Sequence, residues 1–437
     1  MTSTTTDILG IGFGPSNLAL AVAYEESPAV QANLELKFTE RDDGVYWHRG
    51  MLIPWTVSQV SFVKDLATLR NPRSKFTYLN YLKSIDRLDE FINLGTFNPY
   101  RHEISDYLSW VAENITQTEC LFNYECERLS PVMEDGRVIK WAAHYTNGEV
   151  IAARDVVLSI GRDLYIPEIF RPLLGTRVFH SENYLSAIHQ YASKPNLRVA
   201  VIGSAQSSAE IFRAVHDDLP SCSPTIIMRK IGFRYYETNP FFNELFYPSQ
   251  VENFYSLGKS ARESILEQMH YTNYGGVAPY LLNELYRLIY QQRARGQKVS
   301  KIVTTSDIVE ARSESSGIRL VMKDILTGKV TEAVYDLVIL GTGFENKPPR
   351  LMDSISEHLE QDSDLPVTRF YGVRALPHVE AGLYLQGYSE ATHGISDSLL
   401  SILAFRSMEI LEAIAKTRGH EESESLRKMS VKHAEPA

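Results

Sequence analysis

The sequence predicts an α/β protein with two Rossmann-like domains and a small, mainly helical region between them. Two glycine-rich segments, about 190 residues apart, each follow a short apolar run and each open a helical pattern. In that strand–turn–helix context the glycines let the backbone approach a pyrophosphate, and the helix N-terminus favours its negative charge. The 437 residues are enough for two or three domains. Two such segments indicate an enzyme that holds two dinucleotides, most simply a flavin and a nicotinamide.

The first glycine-rich segment lies between a predicted strand at 7–11 and a predicted helix at 15–25. Its motif residues are Gly10, Gly12, Gly14 and Pro15. A second predicted strand, 34–39, leads directly into Glu40, which follows Gly14 by 26 residues. An acidic residue at this point suits a hydrogen bond to a ribose hydroxyl. The alternative is that Glu40 only caps the exit of the strand.

The second glycine-rich segment spans residues 199–210, and Ala205 stands in it where a second glycine is usual. Its other motif residues are Gly203, Gln206, Ser207 and Ser208. The methyl group of Ala205 is compatible with the motif if φ is negative there. A later predicted strand, 225–228, ends at Arg229 and Lys230. Cations at this point are what the 2′-phosphate of NADP requires; the alternative is a solvated strand end.

Periodicity predicts most of the remaining elements. Helical spacing is found at 103–115, 259–270, 279–294 and 397–416. Residues 121–160 alternate in the manner of a small antiparallel meander. Residues 44–80 have no clean period, and a long irregular stretch inside a compact enzyme is usually functional.

Composition excludes several function classes. The net charge is −10, and no long run of Lys or Arg is present, which argues against nucleic acid or an anionic membrane surface as a partner. The twelve histidines form no HxxxH or HExxH pair, so we expect no metal site. The three cysteines form no CxxC motif, as expected of reduced thiols. Without an 18-residue apolar run or the features of a signal peptide, we expect a cytoplasmic protein outside the membrane.

Several longer motifs occur in a fixed order along the chain. They are W-H-R-G-M-L at 47–52, Q-V-S-F-V-K-D-L at 59–66, P-F-F-N-E at 240–244, T-N-Y at 272–274, G-T-G-F at 341–344 and Q-G-Y-S-E-A-T-H-G-I-S-D-S-L-L at 386–400. With the two glycine motifs they make the chain resemble the microbial flavin-dependent N-hydroxylating monooxygenases, specifically the L-ornithine N5-monooxygenases. The resemblance covers about residues 7–415.

The resemblance implies an activity. It is the NADPH- and O2-dependent hydroxylation of the side-chain amine of L-ornithine to N5-hydroxy-L-ornithine through a C4a-hydroperoxyflavin. The product would serve the biosynthesis of hydroxamate siderophores or related peptides, and a homotetramer is expected. Because one methylene in a pocket is worth only about 1–3 kcal/mol, L-lysine, putrescine, cadaverine and other flavin-monooxygenase substrates stay open as alternatives.

The resemblance also implies roles for individual residues, with no side chain acting as a catalytic group beside the flavin. FAD is expected to contact Gly10, Gly12, Gly14, Pro15, Glu40, Trp47, His48, Gln59, Ser396 and Leu399. The carboxylate of the substrate is expected to contact Lys64. The substrate is also expected to contact Asn243, Asn273 and Ser398. NADPH is expected to contact Arg101, Gly203, Gln206, Ser207, Ser208, Arg229, Tyr274 and Thr342.

The residues by themselves leave alternatives to these roles. Lys64 lies between apolar neighbours, where a lysine is costly to bury without an anion, but it can also extend over a surface groove. Arg101 can form a structural ion pair with a nearby glutamate instead of contacting NADPH. Asn243 can be a turn or cap residue. His393 can be a base, although we expect a structural or flavin-contact role. Ser58 stands where the family usually has a methionine beside the flavin.

The predicted domain division follows from these positions. The FAD-binding domain is expected to combine residues 1–163 with 341–437, and the NADPH-binding domain to combine 164–206 with 282–340. Residues 207–281, which are rich in Phe, Tyr and Asn, are expected to form the substrate-binding region.

Overall fold

The computed structural model describes residues 4–237, 239–361 and 367–419, without the side chains of residues 272 and 273. Its strands are β1 (Thr4–Ile11), β2 (Leu36–Glu40), β3 (Glu119–Phe122), β4 (Cys126–Glu134), β5 (Arg137–Tyr145), β6 (Val150–Leu158), β7 (Val178–His180), β8 (Val199–Ile202), β9 (Thr225–Ile227), β10 (Lys301–Val303), β11 (Ser306–Glu314), β12 (Gly317–Asp324), β13 (Val330–Tyr335), β14 (Leu337–Leu340) and β15 (Gly382–Leu385).

The α-helices are α1 (Pro15–Glu25), α2 (Pro28–Gln31), α3 (Tyr78–Ser84), α4 (Leu88–Leu94), α5 (Arg101–Asn114), α6 (Tyr184–Ile188), α7 (Gln206–Asp218), α8 (Pro240–Asn243), α9 (Ser249–Tyr255), α10 (Lys259–Asn273), α11 (Pro279–Ala294), α12 (Glu390–His393) and α13 (Leu403–Thr417). Short 3-10 helices occur at Arg49–Met51, Glu168–Leu173, Ser181–Asn183, His189–Tyr191, Glu244–Phe246, Arg350–His358, Ile395–Ser398 and Leu400–Ile402.

The first sheet contains the first and the last strand of the described chain. Its strand order is β3-β2-β1-β6-β5-β4, and β15 adds to β6 beyond the point where β5 ends. The strands β3, β2, β1, β6 and β15 are parallel, and β4, β5 and β6 form the predicted antiparallel meander. Because β1 lies inside the sheet and is buried from Ile8 onward, its carboxyl end brings the first glycine motif to the middle of the sheet edge.

Helix α1 is buried on nearly its whole circumference, from Asn17 to Tyr24. It packs against α13 on one side and the first sheet on the other, within one large apolar cluster. Burying a Leu or Val side chain contributes roughly 1.5–3 kcal/mol, so the helix behind the glycine motif is firmly placed. The predicted helix at 397–416 begins later than expected, because residues 395–402 form two 3-10 turns first.

The second sheet is wholly parallel, with the order β10-β9-β8-β14-β7. Helix α7 follows β8 in the strand–turn–helix pattern that the second glycine motif predicts. Strand β9, which the predicted division assigned to the substrate region, pairs with β8 and β10 inside this sheet. That boundary is wrong, because the apolar run at 225–228 is buried by the sheet and α7 packs against it.

The rest of the second half forms two smaller units. Strands β11, β12 and β13 make an antiparallel sheet that packs on the second parallel sheet through an apolar cluster. Residues 240–294 contain four α-helices joined by short connections, and α10 and α11 confirm the helices predicted at 259–270 and 279–294. In the described residues, no helix is long and apolar enough to cross a membrane.

Candidate active site

The first glycine loop has the shape of a dinucleotide cradle. Gly12 has φ +83°, and a Cβ there would lie 2.5 Å from the carbonyl oxygen of Ser159, so only glycine fits. A Cβ on Gly14 would meet no atom within 4 Å, which leaves open space directly in front of α1. Pro15 occupies the first turn of that helix, where its missing N–H costs nothing. These residues fit the pyrophosphate of FAD.

Glu40 lies beside this loop at the end of β2. Its Oε2 accepts a hydrogen bond from the Phe13 N–H at 2.6 Å, and its Oε1 accepts one from the Asp42 N–H at 3.1 Å. The carboxylate therefore shapes the loop and the strand exit together. Each oxygen can accept a second hydrogen bond, so the predicted ribose contact stays a prediction.

A buried network joins the first glycine loop to the C-terminal motif. The side-chain N–H of Asn17 donates to the carbonyl of Gly12 at 2.6 Å and its oxygen accepts from Gln386 at 2.8 Å. Arg406 is 1% exposed, forms an ion pair with the fully buried Asp397 at 2.9 Å and donates to Gln386 at 3.3 Å. It also donates to the hydroxyl of Ser16 at 2.8 Å. Segments nearly 400 residues apart thus hold one loop.

The W-H-R-G-M-L segment lies where the two parallel sheets meet. His48 has φ +54°, and its Nδ1 lies 3.2 Å from the carboxylate of Glu182. Gly50 packs so closely on the backbone of Glu182 that no side chain fits. Trp47 is half-buried and its ring is 4.8 Å from that of His48, whereas Gln59 is exposed. Their expected contacts with FAD stay predictions.

The second glycine loop differs from the first. Gly203 has φ +139° and packs on Gly341, whose own Cβ would lie 2.7 Å from the Cβ of Ser208. Ala205 has φ −106°, an extended conformation that any residue adopts, so its methyl group is compatible with the motif. The side chain of Ser208 is fully buried and its hydroxyl donates to the Ala205 carbonyl at 2.7 Å. The hydroxyl is thus occupied within the loop, and the expected contact of Ser208 with NADPH stays a prediction.

Arg101 forms the ion pair that the sequence left as the alternative. Its guanidinium donates to both carboxylate oxygens of Glu210, at 2.9 and 2.7 Å, and to the carbonyl of Met51 at 2.9 Å. Glu210 is fully buried on α7 and also accepts from Gln206 at 2.8 Å. The Gln206 oxygen in turn accepts from the Ala278 N–H at 2.8 Å. This network joins the first domain to the helix of the second glycine motif.

Three other predicted NADPH residues, Ser207, Arg229 and Thr342, lie at the start of α7 or after strands of the second sheet. Ser207 is half-buried in the first turn of α7, where backbone N–H groups are unpaired. Arg229 is exposed after β9, and its neighbour Lys230 donates to the hydroxyl of Tyr271 at 3.1 Å. Thr342, which follows β14, donates to the carbonyl of Tyr165. A helix N-terminus with a cation near it fits a dinucleotide phosphate.

Lys64 lies in a small cavity between the 58–66 segment and α5. Burial lowers the pKa of its ammonium group, and no ion pair with it is found among the described residues. Its Nζ lies 6.0 Å from the ring centroid of Phe246, three residues after Asn243. The neighbouring hydroxyl of Ser61 is buried without a hydrogen-bond partner in the described structure. A cation in this setting is suited to an anionic ligand.

Phe246 connects Lys64 to the C-terminal motif. Its buried ring packs with Met269 and Ile395 in a small apolar cluster, against which Tyr274 and Leu399 also pack. Asn243 is exposed on the short helix α8, where the Asn239 side chain caps the first turn. Asn273 ends α10, and its side chain lies outside the described residues.

A second polar group lies beside this apolar cluster. The hydroxyl of Tyr274 lies 2.7 Å from a carboxylate oxygen of Glu390 and 3.0 Å from the hydroxyl of Ser398. Arg162 donates to Tyr274 and to Glu390, each at 3.1 Å. Burial, reinforced by the Glu390 charge, raises the pKa of Tyr274 to about 12. Two residues that sequence placed in different sites, Tyr274 and Ser398, are direct neighbours.

His393 is a structural residue. It is 1% exposed, its Nε2 pairs with the Arg369 carbonyl at 3.0 Å, and its Nδ1 lies 2.8 Å from the Thr392 hydroxyl. Its ring stacks on Tyr371 at 4.2 Å. Burial lowers its pKa to about 4, so the imidazole is neutral and enclosed. Ser396 is buried nearby, and its FAD contact stays a prediction.

Sequence reasoning missed four charged residues that organise the site. They are Arg162, Glu210, Glu390 and Arg406. A signal for Arg406 was available, because a single cation in the apolar run at 399–411 requires a buried partner. Glu390 lies inside a recognised motif and was not singled out. In the described part of the chain, no group of three His, Cys, Asp or Glu side chains could hold a metal ion.

Comparison with known proteins decides the family. A sequence model of the L-lysine 6-monooxygenase/L-ornithine 5-monooxygenase family matches residues 4–346. The chain belongs to this family. The L-ornithine N(5)-monooxygenase of Pseudomonas aeruginosa is 36% identical over 417 residues, which cover 94% of this chain and 93% of that one.

Solved structures of relatives have the same fold. The ornithine N-hydroxylase of Kutzneria sp. 744, solved with reduced FAD, NADP+ and L-ornithine, is 33% identical with a TM-score of 0.90, and the match covers 95% of this chain and 100% of that one. The L-lysine 6-monooxygenase of Pseudomonas syringae is 31% identical with a TM-score of 0.84, over 94% and 99% of the two chains. The predicted family and the α/β fold with Rossmann-type domains are confirmed.

Proposed function

We propose that this family member is an FAD-dependent L-ornithine N5-monooxygenase that uses NADPH and O2. One O2, one NADPH and one proton would be consumed for each N5-hydroxy-L-ornithine, water and NADP+ formed. The product suits hydroxamate siderophores or related peptides. The matched relatives that act on ornithine support this substrate, as does the ornithine bound in the Kutzneria enzyme.

The observation that carries the proposal is the convergence of three distant segments on one apolar cluster. Lys64 lies beside Phe246, and Phe246 packs with Ile395 and against Tyr274, whose hydroxyl contacts Ser398. A cation and two hydroxyl groups therefore border the same apolar cluster. An amino acid with a carboxylate at one end and an amine at the other matches this arrangement.

Electrostatics supports a carboxylate at Lys64. Its ammonium group is half-buried and carries a lowered pKa because burial removes water without a compensating anion. A bound carboxylate would reverse this shift by pairing with the charge. Because the anchor fixes one end of the substrate, the distance to the reacting end selects chain length.

The protein supplies positioning and a dry environment. When bound, FAD and NADPH supply the oxygen-activating and reducing chemistry. The side-chain amine must be neutral to react, and an apolar setting lowers an alkyl amine pKa from about 10.4. Phe246, Met269 and Ile395 provide that setting next to Ser398. The half-buried Tyr274 covers the same side and excludes water.

The test is hydroxylamine formation by the FAD-loaded protein with NADPH and O2, comparing L-ornithine, L-lysine and putrescine. We expect product mainly from L-ornithine. Product mainly from putrescine would remove the carboxylate role of Lys64. Peroxide without hydroxylamine from all three would mean that another substrate is used.

The Lys64→Met variant tests the anchor. Losing one partner of a buried charge pair costs about 2 kcal/mol or more, so the KM for L-ornithine should rise roughly 30-fold. The matched control is Lys75→Met, because Lys75 also lies over a phenylalanine ring, 4.8 Å from that of Phe76, but is paired with Glu25 at the surface. An unchanged KM in Lys64→Met would contradict the anchor.

We further propose the domain division with a corrected boundary, so that the NADPH-binding domain includes β9 and α7 and the substrate region begins near residue 231. Residues 1–163 and 341–437 would form the FAD-binding domain.

We also propose that the enzyme acts in the cytoplasm as a homotetramer. Light scattering of the purified protein tests the tetramer, and a dimer or monomer would refute it.

A further inference from the structure

The polar group beside the apolar cluster has a fixed set of donors and acceptors. It consists of Arg162, Tyr274, Glu390 and Ser398. Arginine has donors only, and ionised glutamate has acceptors only. The serine hydroxyl can donate one hydrogen and accept two hydrogen bonds, and the tyrosine hydroxyl can both donate and accept. The direction of every bond in the group can therefore be worked out.

The hydrogen of Tyr274 goes to Glu390. This contact is the shortest in the group, at 2.7 Å, and its acceptor is charged. The raised pKa of Tyr274 keeps that hydrogen in place. Arg162 can only donate, so its Nη1 occupies one acceptor position of the Tyr274 oxygen at 3.1 Å.

The contact between Tyr274 and Ser398 then has one direction. Since the Tyr274 hydrogen is already used, the bond at 3.0 Å requires Ser398 to donate. The Ile395 carbonyl lies at 3.4 Å from the Ser398 hydroxyl, and this longer contact is the weaker of the two. The single Ser398 hydrogen is therefore directed toward Tyr274. The oxygen of this half-buried residue keeps its acceptor capacity toward the cluster.

We propose that Glu390 is a positioning residue that makes Ser398 an acceptor for the side-chain amine of the substrate. Glu390 accepts a hydrogen bond from the Tyr274 hydroxyl, and the Tyr274 oxygen accepts one from the Ser398 hydroxyl. The Ser398 oxygen is then free to accept a hydrogen bond from an N–H of the amine. A glutamine at position 390 can donate to Tyr274 and reverse the chain, so that a hydrogen of Ser398 faces the amine. The inference rests on the proposed function, because it needs an amine substrate.

The first measurement is binding of two ligands to the FAD-loaded protein by calorimetry. L-ornithine carries the side-chain amine, and L-norvaline has the same α-carboxylate and three-carbon side chain without it. A buried amine hydrogen left without its acceptor loses about 1–3 kcal/mol, so Glu390→Gln should weaken L-ornithine binding roughly tenfold. L-norvaline binding should stay within about twofold. Equal weakening of both ligands, or of neither, would overturn the inference.

The second measurement is a double-mutant cycle with Ser398→Ala. Because Glu390 acts through Ser398, the double variant should bind L-ornithine as weakly as Ser398→Ala alone. Additive losses would mean that Glu390 acts by another route. Tyr274→Phe provides an independent variant, since it removes the connecting hydroxyl and leaves the Arg162–Glu390 pair. It should reproduce the loss for L-ornithine only, and an unchanged Kd would refute the relay.

The matched control is Asp155→Asn. Asp155 forms an ion pair with Arg418 and is buried like Glu390, but it lies on β6 at the register of Ile8, away from the glycine loop at the carboxyl end of β1. The Asp155→Asn variant should leave the Kd values of L-ornithine and L-norvaline unchanged.

The proposed function and this inference fail in different ways. No hydroxylamine from L-ornithine with the unmodified protein defeats the proposed function, whereas turnover with an unaffected Glu390→Gln variant defeats only this inference.

Discussion

The two glycine loops occupy equivalent positions in the two parallel sheets, yet they are held differently. The first is fixed within its own domain, because Asn17, Gln386 and Arg406 join it to the last helix. The second is fixed from outside, because Arg101 of the first domain pairs with Glu210 behind it. The contacts around the first loop shape one candidate cofactor site. The Arg101–Glu210 ion pair fixes the second glycine loop relative to the first domain.

The loops also differ in where glycine is required. Gly12 and Gly203 both have positive φ and no room for a Cβ. Ala205 has an extended backbone, so the motif tolerates a methyl group there. The requirement for glycine therefore follows from backbone conformation and packing at each position, and the motif pattern alone overstates it.

The largest effect is expected from Arg406→Met, which breaks the first arrangement. Asp397 would be left fully buried without its cation, which costs about 3–5 kcal/mol. Urea unfolding and the FAD content of the purified protein should both report the loss. The control is Arg198→Met, whose partner Asp336 is partly exposed, and there the loss should be about 1 kcal/mol or less. Equal losses in the two variants would contradict the buried network.

A smaller effect is expected from Arg101→Gln, which breaks the second arrangement at a slightly exposed guanidinium. The free energy of unfolding should fall by about 3 kcal/mol, and the KM for NADPH should rise. Glu210→Gln should raise the KM for NADPH by the same factor as Arg101→Gln, and the double variant should be no worse than either single one. If Arg101 instead contacts NADPH directly, only Arg101→Gln will raise that KM, and Glu210→Gln will leave it unchanged.

Acid is expected to weaken the first domain through His393. Its folded pKa, about 4, lies below the unfolded value of about 6.5, so only the unfolded state gains a proton between these values. Its contribution is complete above pH 6.5 and is lost as the pH falls toward 4, on the order of 2–3 kcal/mol. In His393→Phe the unfolding free energy should fall less steeply over this range. The exposed His189→Phe should keep the original slope; a matching change there would rule out this assignment.

The smallest effect is expected from Ala205→Gly. The extended backbone needs no glycine, so the change should only add freedom to the unfolded chain and cost roughly 0.5–1 kcal/mol. The KM for NADPH should change by less than about threefold. A tenfold tighter NADPH interaction would show that the methyl group displaces the pyrophosphate.

Much of the fold was predictable because it depends on neighbours in the sequence. The strand, loop and helix around Gly12 are contiguous, and so are the meander of β4 to β6 and helices α10 and α11. The strand at 225–228 was predicted from its apolar run, but the domain boundary beside it was wrong, since only its pairing with β8 and β10 assigns it to the second sheet. The late start of α13 has a similar cause, because the 3-10 turns before it are formed around Asp397 and its partners.

The candidate site divides in the same way. Lys64, Tyr274 and Ser398 were identified from motifs, because their residue types and order are local features of the chain. The pairing of Arg162 with Glu390 and of Arg406 with Asp397 was not identified. For Arg101 an ion pair with a nearby glutamate was an open alternative, but Glu210 was not named as the partner.

The sequence by itself therefore determined the two nucleotide units and the family, and it predicted the site residues. Only the tertiary structure decided which charges are paired, which way hydrogen bonds run, and that Ser208 is buried. The physical reason is that an ion pair or a buried hydroxyl depends on groups hundreds of residues away, and burial makes each partner necessary to the other.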